Sequence, residues 1–288
     1  MRDRVKLGAA AILFSLAIAG GAGGAWAAGE GHIDIPRQKW SFGGFLGHFD
    51  DAQLQRGFKV YVDSCARCHG VKRLAFRNLA EAGGPGFPEA AIKSLAATYQ
   101  VDDVPNEEGK VKKRPAIPSD YVPPPFKNEQ EARYSNNGAL PPDLSLMARA
   151  RAPDADTPFY RVPDRMIADI VTGYQEGGAD YIYAYLTGFT NPPASVKMAD
   201  LMNYNKAFPG HQTAMPNPFI AGDGVLKYDD DTPPTVDNYA RDVTAFLAWA
   251  ADPKLEERKR LGWMVMLYLV ITAVLLGLAK RRIWREVH

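Results

Sequence analysis

Nineteen consecutive residues near the C-terminus, LGWMVMLYLVITAVLLGLA (Leu261–Ala279), carry no charge. Backbone N–H and C=O groups inside a bilayer find no water to bond, so a lone segment that crosses one must be a helix. At helical rise this run reaches roughly 28 Å, close to a hydrocarbon thickness of about 30 Å. A buried core helix would not normally be walled by basic residues on both sides. This one is, by Arg258-Lys259-Arg260 before it and Lys280-Arg281-Arg282 after it. The sequence therefore predicts one membrane-spanning helix over 261–279 and a short tail over 280–288.

Because basic residues flank both ends, orientation has to come from elsewhere. Arg2, Arg4 and Lys6 precede the apolar run Leu7 to Ala19, and Ala25-Trp26-Ala27 supplies a small-x-small cleavage pattern. Residues 1–27 read as an export signal. The segment from Leu7 to Ala28 is uncharged and could nearly span a bilayer as an uncleaved anchor. Its glycine-rich half, Gly20 to Gly24, favours processing instead. Export would place residues 28–260 in the periplasm of a bacterium, and the C-terminal span would stop transfer in the inner membrane, leaving 280–288 in the cytoplasm. Without the charges of signal and tail the body is mildly acidic, which excludes the basic footprint of a nucleic-acid binder.

Between signal and anchor the periodicity is helical. Leu54, Phe58, Tyr61 and Cys65 share one face of a helix predicted over 51–65, and Ile92, Leu95, Ala96 and Tyr99 share a face over 88–99. The proline- and charge-rich stretch 105–125 predicts an extended surface segment, with a helix or central strand disfavoured. Short helices are expected over 167–173 and 181–189, separated by the Gly177-Gly178 break. A last helix over 235–251 carries the wide apolar stripe Val236, Tyr239, Ala240, Val243, Phe246, Leu247 and Ala250. The fold class is thus mainly α, one domain with long irregular connections plus one C-terminal transmembrane helix.

Both cysteines of the chain fall in SCARCHG (64–70), at the end of the first predicted helix. A Cys-x-x-Cys disulfide suits an exported protein but does not call for His69, and no βαβ pattern surrounds it. A zinc site would need four ligands, and no second cysteine pair exists. The remaining reading is the c-type haem signature C-x-x-C-H, in which Cys65 and Cys68 add to the haem vinyl groups and His69 ligates iron. One helix end then fixes three bonds. An electron-transfer haem takes a sixth ligand from elsewhere. Met147 shares a helical face with Leu144 and Ala148, and Met198 and Met202, bracketing Ala199-Asp200-Leu201, read equally as ligands or as surface-helix apolar residues; Met166, His32 and His48 are further exported methionine and histidine residues. Met215 stands in the proline-bounded loop FPGHQTAMPNP (208–218), where a thioether can be held rigidly, with His211 of the same loop as the rival ligand.

The blocks GFKVYVDSCARCHG, NNGALPPDLSLMARAR, DYIYAYLTGFTNPP, YNKAFPGHQTAMPNPF and DDDTPPTV, followed by a tail anchor, together resemble the cytochrome c1 family, the membrane-anchored haem subunits of cytochrome bc1 complexes. C-x-x-C-H alone is shared by many carriers; the ordered combination is specific. The resemblance implies a class I c-type cytochrome-like domain holding one covalent haem c, with Met215 rather than His211 as the second ligand. It also implies that Asn137, Pro141 and Pro142 lie against the haem, and that Arg151 and Tyr181 hold a propionate. Arg149 and Arg151 otherwise read as a solvated helix face. The implied partners are cytochrome b, the Rieske iron–sulfur protein and a soluble c-type cytochrome, besides membrane lipid around the anchor.

Residues 152–178 look like an insertion relative to the mitochondrial-type members, and the additional disulfide of some bacterial members has no cysteines here. The acidic runs Glu107-Glu108 and Asp229-Asp230-Asp231 read either as steering for a basic partner or as solvated loops. One membrane helix cannot enclose a quinone, so the chain alone is expected to carry electrons rather than to be an enzyme. A haem subunit of another oxidase, a free-standing carrier and a peroxidase with an open iron position are the alternatives.

Overall fold

The computed structural model describes residue 33, residues 35–151 and residues 159–287. The predicted export signal and His32 lie outside the described residues, as do 152–158 of the insertion.

The first helix, α1 (Asp51–Val60), is capped by the Asp50 carboxylate, which accepts from the Ala52 and Gln53 N–H groups at 2.9 and 3.3 Å. Leu54 and Val60 are wholly buried. The periodicity predicts an unbroken helix to Cys65, but the last five residues, Tyr61–Cys65, form a π-turn. Ala66 N–H bonds the Tyr61 carbonyl at 2.8 Å there, one residue wider than an α-turn.

Helix α2 (Glu89–Ala97) buries Ile92 and Ala96, as their spacing requires. The strands β1 (Gln100–Asp102) and β2 (Lys113–Pro115) form an antiparallel ribbon with Val101 opposite Arg114. Part of the proline-rich stretch thus pairs after all, as an edge ribbon in which proline is tolerated. Helices α3 (Glu129–Ser135), α4 (Met147–Ala150), α5 (Val162–Thr172) and α6 (Gly177–Thr187) follow.

Gly177-Gly178 is not a break: it is the first turn of α6. A Cβ on Gly178 would stand 1.9 Å from the Ala148 carbonyl oxygen, so the residue is small because α6 runs against α4 there. The two-residue strands β3 (Asn203–Tyr204) and β4 (Gln212–Thr213) pair and close the loop 205–211, and Met215 follows β4 by two residues.

The core centres on α7 (Val236–Ala251), against which both α1 and α6 pack. Being covered on two sides, α7 buries more than its predicted stripe: Asp242, Thr244, Ala245 and Trp249 join Tyr239, Ala240, Val243, Phe246 and Leu247, whereas Val236 and Ala250 are half-buried. Asp242 is tolerated inside because Arg56 Nε and Gln53 Nε2 donate to it at 2.9 and 3.1 Å.

Where α1 crosses α7, a Cβ on Gly57 would come within 2.0 Å of the Asp242 carbonyl oxygen. Backbone cannot yield as a side chain can, so Gly57→Ala is expected to destabilise the domain by about 1–3 kcal/mol. A lower thermal midpoint of the haem-loaded, detergent-solubilised protein reads this out, and an unchanged midpoint contradicts it.

The last helix, α8, runs unbroken from Leu255 to Val287, 33 residues or about 50 Å. It takes in both basic triplets, so the residues that flank the uncharged run continue its helix. Its apolar side chains face outward, Leu267 being 62% and Leu276 65% exposed, as a helix whose solvent is lipid requires.

Candidate functional site

The π-turn delivers Cys65 into the core and hands over to a tight turn, in which the N–H groups of Cys68 and His69 both bond the Cys65 carbonyl, at 3.1 and 2.9 Å. Tyr61 Oη braces the turn from inside by donating to the His69 carbonyl at 3.0 Å. Cys65 is buried, Cys68 is exposed, and both are free thiols. Burial, reinforced by the neighbouring Cys68, pushes the Cys65 thiol up to about 12. A redox Cys-x-x-Cys depends on a depressed pKa, and this environment does the opposite. Among the described residues no group of three or more His, Cys, Asp or Glu side chains gathers as a cation site.

His69 is held by its Nδ1, 2.8 Å from the Pro142 carbonyl oxygen. A carbonyl only accepts, so Nδ1 carries the proton and Nε2 keeps its lone pair. Burial lowers the pKa of the ring and keeps it neutral, against the weaker opposing pull of the Pro142 bond and the Asp143 charge.

The carbonyl is one tooth of a clasp between 69–73 and 142–145. Leu144 N–H bonds the Gly70 carbonyl at 2.8 Å, Lys72 N–H bonds Asp143 Oδ2 at 2.9 Å, and Arg73 N–H bonds Ser145 Oγ at 3.0 Å. Asp143 Oδ1 also accepts from Ser145 N–H at 3.0 Å. Asp143→Ala is expected to cost about 1–3 kcal/mol, because two N–H groups lose a charged acceptor. Amide exchange at Lys72 should quicken; an unaltered rate there contradicts the clasp.

Arg151 caps the C-terminus of α4, and Tyr181 lies one turn into α6. Burial raises the Tyr181 pKa and the Arg151 charge opposes the rise, so the guanidinium and phenol lie within electrostatic reach of each other. Arg149 is engaged differently, in an ion pair with Asp252, which Arg258 also contacts at 2.5 Å.

From Tyr181 a continuous path leads to the methionine loop. The Tyr181 ring stacks on Tyr185 at 6.2 Å, Tyr185 Oη lies 2.7 Å from Thr213 Oγ1, and that oxygen accepts from Met215 N–H at 3.3 Å. Met215 is half-buried and packs against the hydrophobic cluster to which Cys65 belongs. The rival His211 sits at a left-handed φ of 58°, with Nδ1 3.2 Å from the Asn205 carbonyl and its ring 5.5 Å from that of Tyr204.

Asn137 occupies a left-handed turn after α3 (φ 52°) and is exposed; Pro141 is half-buried and Pro142 exposed. Pro142, expected to lie against the haem, contacts His69 through its carbonyl; sequence reasoning did not foresee that bond. It missed Tyr61, Asp143, Ser145, Tyr185 and Thr213 as supports. Two of these carried a visible signal, Tyr185 four residues after Tyr181 and Tyr61 four residues before Cys65, each pair on one helical face.

The donor set fits a covalently held haem: two unbridged thiols three residues apart, and a neutral imidazole whose Nδ1–H is spent on a carbonyl, the usual outer support of a metal-ligating histidine.

Comparison with known proteins gives a consistent result. The model of the Cytochrome C1 family matches residues 40–287. Cytochrome c1 of Blastochloris viridis is 42% identical over 257 residues, 88% of this chain and 88% of that protein. Cytochrome c1 of Rhodospirillum rubrum is 40% identical over 282 residues, 92% of this chain and 93% of that protein. Cytochrome b/c1 of Bradyrhizobium diazoefficiens is 47% identical over 262 residues, 91% of this chain but 37% of that longer protein.

Proposed function

Since the chain belongs to the cytochrome c1 family, we propose that it is the membrane-anchored monohaem subunit of a cytochrome bc1 complex, receiving electrons from the Rieske iron–sulfur protein and delivering them to a soluble c-type cytochrome. The observation that carries this reading is the Cys65–His69 turn, where a neutral imidazole is clamped beside two free thiols on a chain that also bears a membrane helix. Bound haem c supplies a one-electron couple. Cys65 and Cys68 would hold it covalently, and His69 Nε2 and the Met215 thioether would supply the protein ligands to its iron. Asn137, Pro141 and Pro142 would lie against it, and Arg151, beside Tyr181, would offer paired donors to a propionate.

The domain plan is a signal over 1–27, a periplasmic haem domain over 28–260, a span over 261–279 and a cytoplasmic tail over 280–288, in a bacterial inner membrane. By itself the chain carries electrons and catalyses nothing. Cytochrome b is its membrane partner, a reading supported by the relative whose name joins cytochrome b and c1. The reading is tested by purifying the tagged chain from its own membrane. A b-type cytochrome and a Rieske protein should accompany it, and quinol should reduce it in their presence only; isolation of a lone carrier contradicts the assignment.

A further inference from the structure

Helix α5 is amphipathic and turned inside out. Its polar side faces the protein: Asp169 and Arg165 are half-buried, and Asp169 Oδ1 pairs with Arg37 at 2.7 Å. Its apolar side faces away, with Met166 58%, Ile167 60%, Ile170 67% and Val171 70% exposed, and no residue of the helix is buried. Just before it stand Phe159 and Tyr160, 88% and 67% exposed. An apolar stripe this wide normally turns toward a core, so something outside the described chain covers it.

The surroundings of its C-terminal end identify what. Gly173, in a left-handed cap (φ 65°), abuts Phe45, whose ring atoms would lie 3.1 Å from a Cβ there. The Phe45 ring in turn meets that of Trp263 edge-on at 5.8 Å. Trp263 is the third residue of the uncharged run of α8, and tryptophan there marks the membrane–water boundary. The loop bearing Phe45 is fastened at that level by Lys259 Nζ, which donates to the carbonyls of Phe42 and Gly47 at 2.7 and 3.2 Å. Leu46, at the tip of the loop, is 82% exposed. The apolar surface of α5 therefore continues, through Phe45, into the surface of the anchor that lipid solvates.

We propose that α5, with Phe159 and Tyr160 before it and Phe45 and Leu46 beside it, lies in the headgroup–acyl boundary of the bilayer, a second lipid contact of the haem domain besides α8. An interfacial helix of this kind has its apolar side in the acyl boundary and its polar side turned away from it. The proposal rests on reading α8 as a membrane anchor, and so explains part of the 152–178 insertion as a membrane-lying foot.

The test uses the complete haem-loaded chain, tagged, purified with its accompanying subunits and reconstituted into phosphatidylcholine–phosphatidylglycerol vesicles. Ile167→Cys, Leu46→Cys and, within the anchor, Ala273→Cys are labelled with a polarity-sensitive fluorophore, the unsubstituted preparation giving the background. Both native thiols are consumed by haem, so the introduced one is the free thiol of this chain. At 167 and 46 the emission should be blue-shifted, lose most of its intensity to lipids carrying a nitroxide near the headgroup, and resist aqueous iodide. Emission as in water with quenching by iodide, as expected for a Val104→Cys control on the exposed ribbon loop, overturns the proposal. Shielding from both quenchers also overturns it, because a protein partner would then cover the face. Failure of nitroxide lipids to quench the probe at 273 instead overturns the anchor reading, and the proposal with it.

Discussion

Cys65→Ser and Cys68→Ser should each yield a chain with defective covalent haem and a several-fold lower level of the mature protein. The hydroxyl of serine does not form the thioether, so either change leaves at most one covalent tie. At position 65 it also sets a hydroxyl in the hydrophobic cluster, where the thiol is 7% exposed. A loss of even 1–2 kcal/mol lowers abundance several-fold when unfolded chains are cleared. The measurement is peroxidase-active haem staining of denaturing gels beside an immunoblot. Normal staining of both variants contradicts the attachment assignment.

Met215→Ala should leave the haem attached but lower its midpoint potential and open the iron to added ligands. A thioether favours the reduced iron, so its removal shifts the couple downward. With about 59 mV per tenfold change for one electron, a loss of two to three powers of ten corresponds to a fall on the order of 100 mV or more. His211→Ala, which removes a ring packed on Tyr204, should leave the potential nearly in place. Redox titration of both variants, with carbon monoxide binding to the reduced forms, separates the two candidates. An unshifted midpoint in Met215→Ala together with a large fall in His211→Ala would transfer the assignment to the histidine.

The parts legible in the sequence are those whose information is local. Leu54 on α1 and Tyr61 in the π-turn that continues it, Ile92 and Ala96 on α2, and Tyr239, Val243 and Phe246 on α7 recur at helical spacing and are buried. Cys65, Cys68 and His69 are adjacent, so their motif could be read without knowing the fold. Distant contacts were not legible. The clasp joins residues about 70 apart through main-chain groups and an aspartate that composition cannot distinguish from a solvated one. Gly177-Gly178 looked like a stop because glycine weakens helices, whereas close approach of α4 demanded it. For α5 the sequence predicted only a short helix over 167–173, not its start at Val162 nor which side faces the protein; Arg37, more than 130 residues earlier, holds the polar side inward.

The π-turn at Tyr61–Cys65 has a consequence for how this segment tolerates change in length. One residue more than an α-turn offsets everything after it by about 100° around the helix axis, given 3.6 residues per turn. Deleting a single amino acid between Tyr61 and Cys65 would give a more regular helix and a worse protein, because the sulfur would swing out of register with the imidazole's tether. Gaps within this stretch should be purged more strongly than most point substitutions in it, so the irregular spot of the helix is its least editable one.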